Sequence, residues 1–199
     1  MKILKEDEAE DFLEKNGFKV VKRGFSKDYK SALDIATKIG FPVVLKNTNL
    51  LHKTEKSGVK LNVNKDDFEK TFKELKSNNI LIQKQTSGVE FLMGIKKDNT
   101  FGHVITFGLG GIYTEVFKDV SFRVYPIKEE DAEEMINEIK FSKIFDARNV
   151  KVNKKNIIEN ILKLNNLIKK NSKITELDIN PLIANDKEAL IVDARIVMD

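Results

Sequence analysis

The 199-residue chain is 41% apolar and 33% charged, contains no cysteine, and carries a net charge of +4 from 35 basic and 31 acidic residues. Disulfides and thiolate metal sites are excluded. No apolar run approaches the roughly 20 residues that span a bilayer, and the opening MKILKEDEAEDF turns acidic without the apolar stretch of a secretory signal. This is the profile of a cytoplasmic globular protein large enough for one domain or two small lobes. The lysines alternate with glutamate and asparagine instead of clustering with aromatics, which argues against a nucleic-acid surface.

In chain order, residues 6–16 read as a helix, and Gly17 stands where a helix-terminating glycine belongs. FKVVK reads as a short strand. Ser26 is placed to cap a second helix, in which Tyr29, Ala32, Leu33, Ala36 and Ile39 recur at helical spacing until Gly40. PVVLK is a buried-type strand ending in Lys46. The polar residues 47–57 read as a loop, and GVKLNV as a strand. Asn64 caps a helix with Phe68, Phe72 and Leu75 in one stripe, and ILIQKQ is the next strand.

A lobe boundary falls near Thr86-Ser87-Gly88. Beyond it, VEFLMGIKK, HVITF, IYTEVF and SFRVYP are strands joined by short turns, as in an antiparallel sheet. Helices are expected over 129–139 and 153–170. The chain closes on a hairpin, ITELDINPLI and ALIVDAR, turning at Asn185 and Asp186. The expected class is α+β, with an N-terminal helix in 1–17, one lobe over 18–85 and another over 86–199.

Several residues could carry chemistry. Strand alternation puts Glu176, Asp178 and Asn180 on one face of the hairpin and Leu177 and Ile179 on the other, and the returning strand brings Asp193 beside them. Such oxygen donors suit a hard cation that also holds phosphate oxygens, as Mg²⁺ does. They equally suit the solvated face of an edge hairpin, and Pro181, lacking an N–H, fits an edge or a strand end. Lys46 either snorkels to solvent or offers its ammonium to a phosphate. Gly108, Gly110 and Gly111 form either an anion-binding nest or an ordinary turn, and match neither a P-loop nor a dinucleotide fingerprint. Glu115, Asp119 and Arg123 could line one mouth, or Arg123 could make a surface ion pair. There are four arginines, Arg23, Arg123, Arg148 and Arg195. Of the two histidines, His52 lies in the polar loop, where a neutral imidazole could accept a phosphoryl group, and His103 lies in a strand.

PVVLK…LLHKTEKSGVKLNV, ILIQKQTSGVEFLMGIKKDNTFGHVITFGLGGIYTEVFKDVSFRVYP and ELDINPLI…LIVDARI run in order over nearly the whole chain. Together they resemble the ATP-grasp β subunit of NDP-forming acyl-CoA synthetases, best known as ADP-forming acetate–CoA ligases, with succinyl-CoA synthetase β more distant. The glycine segment through FKDVSFR is the most specific part.

The resemblance implies two α+β lobes gripping a nucleotide. It implies Lys46 on nucleotide phosphates, Gln83, Lys84, Gln85 and Thr86 as the hinge whose backbone meets adenine, and Glu90 on the ribose hydroxyls. Asn180 and Asp193 would ligate Mg²⁺, with Glu176 and Asp178 nearby. Arg123 would lie near the transferred phosphate, and His52 would carry the phosphoryl group to and from ADP/ATP. The His52 loop departs from the family pattern, with Glu55 for the usual aspartate and Lys56-Ser57 for Val-Gly. The segment around Arg148 lacks its flanking glycines.

No CoA-binding segment is present, so the resemblance implies a CoA-binding α subunit as partner, in an assembly such as α₂β₂. Competing readings are another ATP-grasp ligase, which would need no phosphohistidine, and a catalytically silent nucleotide-binding regulator.

Overall fold

The computed structural model describes residues 1–49, 58–111, 119–146 and 151–199. They form two units: Val21–Thr86, and Met1–Val20 together with Ser87–Asp199. The chain opens with β1 (Lys2–Leu4) and α1 (Glu6–Lys15). The smaller unit holds β2 (Arg23–Ser26), α2 (Tyr29–Ile39), β3 (Val43–Asn47), β4 (Val59–Val63), α3 (Phe68–Glu74) and β5 (Ile80–Lys84). Then come β6 (Val89–Asp98), β7 (Gly102–Leu109), β8 (Val120–Val124), α4 (Glu129–Glu138), a 3₁₀ segment (Lys140–Asp146), α5 (Lys154–Lys170), β9 (Ile174–Ala184), β10 (Ala189–Ile191) and β11 (Ala194–Met198).

Within the smaller unit the sheet order is β2-β5-β3-β4, antiparallel throughout. Ala32, Ala36, Val43, Leu45, Phe68, Ile80 and Ile82 form its core, and Tyr29, Phe41 and Phe72 ring Phe68. Two caps differ from the sequence reading. The second helix begins after Asp28, whose carboxylate accepts the Ser31 N–H at 3.0 Å. Ser26 instead makes a local turn, its hydroxyl accepting the Asp28 N–H at 3.2 Å. Asp67, not Asn64, precedes α3, and the Asn64 amide donates to the Asn62 carbonyl.

FKVVK is not a strand. Val20 makes one bridge to Ile191, and Phe18 is buried among the apolar residues of the larger unit. Burial of Phe18 therefore holds this segment in place of a ladder.

The larger unit is built on one sheet, β1-β11-β9-β6-β7-β8, with β10 beside β9. Each helix carries its own start signal. Glu6, Asp7 and Glu8 fill the first turn of α1, and Glu129, Glu130 and Asp131 that of α4, where negative charge meets the helix dipole. The Asn153 side chain accepts the N–H of Lys155 at 3.1 Å to cap α5. Ile157, Ile161, Leu164 and Ile168 recur along α5 and are buried. Facing them are Phe91, Met93, Ile95, Ile105, Phe107, Leu177 and Ile179 from the sheet. Phe91 is stacked between Phe107 and Phe145, with centroids 5.4 and 5.7 Å away.

Ser121 and Asp119, at the start of β8, fasten the segment after it. The Ser121 hydroxyl reaches the Met135 carbonyl at 2.9 Å. The buried Asp119 carboxylate accepts the N–H groups of Lys140 and Phe141, each at 2.8 Å.

Candidate functional site

The closing hairpin is present, but not as two unbroken strands. β9 pairs with β10 through Leu182–Ala184 and with β11 through Ile174–Ile179. The break, Val192–Asp193, lies opposite Asn180 and Pro181. There the Asn180 N–H donates to the Asp193 carbonyl and the Val192 N–H to the Pro181 carbonyl, both at 3.2 Å. β9 is an interior strand, with β6 on its other side, so of the two expected positions Pro181 takes not the sheet edge but a ladder end, between the β11 pairing that stops at Ile179 and the β10 pairing that starts at Leu182. The proline's missing donor is accommodated by an irregular ladder instead of an open edge.

Face by face, the alternation holds. Leu177 and Ile179 are buried against the helices, and Asp178 and Asn180 point the other way. The line Asp178, Gly94, Thr106, Phe122 runs across β9, β6, β7 and β8 on this second face. Arg195 stands opposite Asp178 on β11 and donates to the Glu176 carboxylate at 2.5 Å. Surrounding protein raises the Asp178 carboxyl above its usual pKa; Arg195 opposes this and Glu176 adds to it. Solvent still reaches the side chain, which limits the effect.

The glycine turn after β7 meets this hairpin. The Gly110 N–H donates to the Glu90 carbonyl at 2.9 Å, and the Gly111 N–H donates to Asn180 Oδ1 at 2.9 Å. Both N–H groups are thus taken by the protein, so neither is open to an anion. Gly111 has φ +66°, and a Cβ placed there would fall on the Glu90 carboxylate. Glu90, Gly111 and Asn180 are consequently neighbours across β6, the turn and β9.

Asn180 and Asp193 offer oxygen donors of the kind Mg²⁺ takes. Asn180 Oδ1 has a second lone pair beyond the one given to Gly111, and Asp193 is half-buried beside it in the chain fold. Among the described residues no group of three His, Cys, Asp or Glu side chains converges as a cage. An ion that keeps waters and takes phosphate oxygens needs none.

In the smaller unit, Val44 and Lys46 pair across the sheet with Gln83 and Leu81, so Lys46 and Gln83 share the face away from α2 and α3. They are 7% and 2% exposed. Lys46 is therefore buried and does not snorkel along the surface. Lys84 turns to α2, its ammonium on the Gly40 carbonyl at 2.6 Å, where a cation suits a helix C-terminus. The Gln85 amide oxygen accepts the Asn62 N–H at 2.9 Å. The backbone N–H groups of Lys84 and Gln85 go to Lys22 and Pro42 carbonyls.

Arg123 lies on the helix-bearing face of the larger sheet, opposite Ile105 in register. Its guanidinium binds Glu138 through both terminal nitrogens and Glu134 at 3.1 Å. The sheet thus separates it from Asp178 and Asn180. Asp119, read as part of the same mouth, is buried and caps the 3₁₀ segment. His52, Glu115 and Arg148 lie outside the described residues. Sequence reasoning does not reach the Gly111–Asn180 bond; its only trace there is a glycine pair directly after a strand.

Comparisons with known proteins agree with this architecture. A family profile described as ATP-grasp domain matches residues 1–198. The β subunit of Pyrococcus furiosus ADP-forming acetate–CoA ligase I is 36% identical over 98% of this chain and 91% of its own length. An Archaeoglobus fulgidus ADP-forming acetate–CoA ligase II is 38% identical over 98% of this chain, which spans 30% of that longer protein. Among solved structures, acetyl-coenzyme A synthetase 1 of Ca. Korarchaeum cryptofilum superposes with a TM-score of 0.87 at 36% identity, covering 100% of this chain and 93% of that one. That structure is a complex with coenzyme A and Mg-AMPPCP, its phosphohistidine segment pointing towards the nucleotide binding site. The chain therefore belongs to the ATP-grasp family, alongside the β subunits of ADP-forming acetate–CoA ligases.

Proposed function

We propose that this chain is the nucleotide-binding β part of an ADP-forming acyl-CoA synthetase of the acetate type, moving a phosphoryl group between a phosphohistidine at His52 and ADP. The observation that carries the reading is the hairpin of Asn180 and Asp193, fixed to the glycine turn by the Gly111 N–H and set beside Glu90. Its oxygen donors would hold Mg²⁺, which when bound neutralises charge on nucleotide phosphate oxygens.

The chain's own residues have defined tasks in this reading. Glu90 accepts hydrogen bonds from ribose hydroxyls. Lys46, buried and cationic, holds phosphate. Backbone of Gln83–Thr86 meets adenine, while the side chains of Lys84 and Gln85 brace that backbone from behind. Transfer is a displacement at phosphorus: an oxygen of the ADP β-phosphate attacks, the P–N bond to His52 breaks, and the departing ring nitrogen keeps the electron pair and takes up one proton from the medium. The products are ATP and neutral histidine, and the step can reverse. Such transfer depends on alignment and charge neutralisation more than on covalent help. Arg123 we read as a bracket between β8 and α4, because two carboxylates already hold its charge.

CoA and acyl chemistry would belong to a CoA-binding α part, either a separate subunit in an assembly such as α₂β₂ or the remainder of a longer chain.

The test is reconstitution with a CoA-binding α subunit. Acyl-CoA, ADP and phosphate should give ATP, with a phosphoryl label on this chain that is labile in acid and stable in base. His52→Ala should abolish both and leave ADP affinity nearly unchanged. His103 is the control: its Nε2 contacts the Ile174 carbonyl at 2.8 Å and, facing an acceptor, must carry the proton. His103→Gln should leave the label in place. Full ATP formation by the His52→Ala complex would refute the reading.

A further inference from the structure

We infer that Gly111 is a positioning residue that couples the ribose acid to the metal ligand, its N–H orienting the Asn180 amide and its lack of a side chain giving the Glu90 carboxylate its place. The inference rests on the roles proposed above for Glu90 and Asn180.

Three observations combine. First, Gly111 donates to Asn180 Oδ1 at 2.9 Å. An amide flipped by half a turn would present its NH₂ to that N–H, donor against donor, so the bond selects the oxygen-inward orientation. The remaining lone pair of that oxygen is the one a cation would use. Secondly, a Cβ on Gly111 would coincide with Glu90 Oε2, so any side chain evicts the carboxylate from its position. Thirdly, the turn is tied at two consecutive residues. Gly110 donates to the Glu90 carbonyl at 2.9 Å, and a Cβ on Gly110 would stand 2.5 Å from the Phe91 backbone. The turn is thus pinned to β6 at one residue and to β9 at the next. Gly111 also has φ +66°, a conformation L side chains rarely adopt.

A matched control exists in the same unit. Gly102 has φ +74°, and a Cβ added there would meet nothing within 4 Å. Gly102→Ala introduces the same backbone strain without touching either ligand.

The experiment measures ADP affinity by calorimetry, with and without Mg²⁺, for the wild type, Gly111→Ala, Gly102→Ala, Asn180→Ala and Glu90→Gln, and for the two double variants that carry Gly111→Ala. Gly111→Ala should weaken metal-free ADP binding about tenfold and cut the Mg²⁺-dependent gain by a similar factor, each the scale of one lost polar contact. In the Asn180→Ala background it should no longer reduce the Mg²⁺ gain. In the Glu90→Gln background it should no longer reduce metal-free affinity. Gly102→Ala should bind as wild type. A wild-type chain that binds no ADP would overturn the nucleotide reading itself; wild-type binding with additive losses would overturn the coupling alone. Amide hydrogen exchange at Gly111 tests the bond without nucleotide and without a Gly111 variant. Exchange at least tenfold faster in Asn180→Ala supports the inference, and unchanged exchange overturns it.

Discussion

Arg123 and Glu138 form a two-pronged ion pair across β8 and α4, with Nη–Oε distances of 2.9 and 2.5 Å. The hydrogen bonds from Arg123 hold the Glu138 carboxyl below its ordinary value of 4.5. A depressed carboxylate stabilises the fold above its unfolded-state pKa, and that contribution fades as pH falls through the folded-state value. The Glu138 carboxylate is about half exposed and the guanidinium less so, so solvent screening keeps the cost of Glu138→Gln to about 1 kcal/mol at pH 7. Urea denaturation at pH 7 and pH 3 should find the gap between wild type and variant closing at the lower pH. Arg123→Lys should leave Mg²⁺-ADP affinity unchanged, because the side chain lies on the helix side of the sheet.

Asp193 supplies the one carboxylate of the proposed ligand pair. Thermal denaturation with ADP should shift upward further when Mg²⁺ is added. Asp193→Ala should remove most of that increment while keeping the smaller shift from ADP alone. A wild type unresponsive to nucleotide at any Mg²⁺ concentration would count against the whole assignment.

Phe91 joins core to site, since it follows Glu90 and is fully buried between two other phenyl rings. Phe91→Ala should lower stability by roughly 3–5 kcal/mol, the usual range for emptying such a site. Chemical denaturation would measure it, and a loss below about 1 kcal/mol would mean that the stack contributes little.

Much of this is legible in the sequence, and the exceptions have physical causes. Periodicity locates α1, α2, α4 and α5 because each has one apolar stripe, as Ile157, Ile161, Leu164 and Ile168 illustrate. Strand alternation puts Asp178 and Asn180 on a common face, as observed. Alternation cannot tell whether β9 is an edge, because that depends on β6, more than 70 residues earlier in the chain. The caps fall two or three residues from their expected places because Ser26, Asp28, Asn64 and Asp67 are all competent caps, and packing chooses among them. FKVVK has the composition of a strand, yet gains more by burying Phe18 than by pairing. The charge of Arg123 is plain in the sequence; the two glutamates that neutralise it sit on a helix whose docking no local pattern reveals. The Gly111–Asn180 contact joins residues 69 positions apart through a backbone atom, which leaves no side-chain signature.

The clasp at Asp119 also bears on how this chain could vary. Asp119 accepts the Leu109 N–H through its own carbonyl at 3.1 Å, and its carboxylate grips Lys140 and Phe141. Gly111, at the other end of the intervening stretch, is tethered to Asn180. Of these bonds, the one between Leu109 and Asp119 is backbone to backbone and survives any side-chain change at residue 119, whereas the grip on Lys140 and Phe141 needs the carboxylate. Asp119→Ala would therefore leave the join between β7 and β8 in place and release only the start of the 3₁₀ segment, so this position can vary at the expense of that segment and not of the sheet.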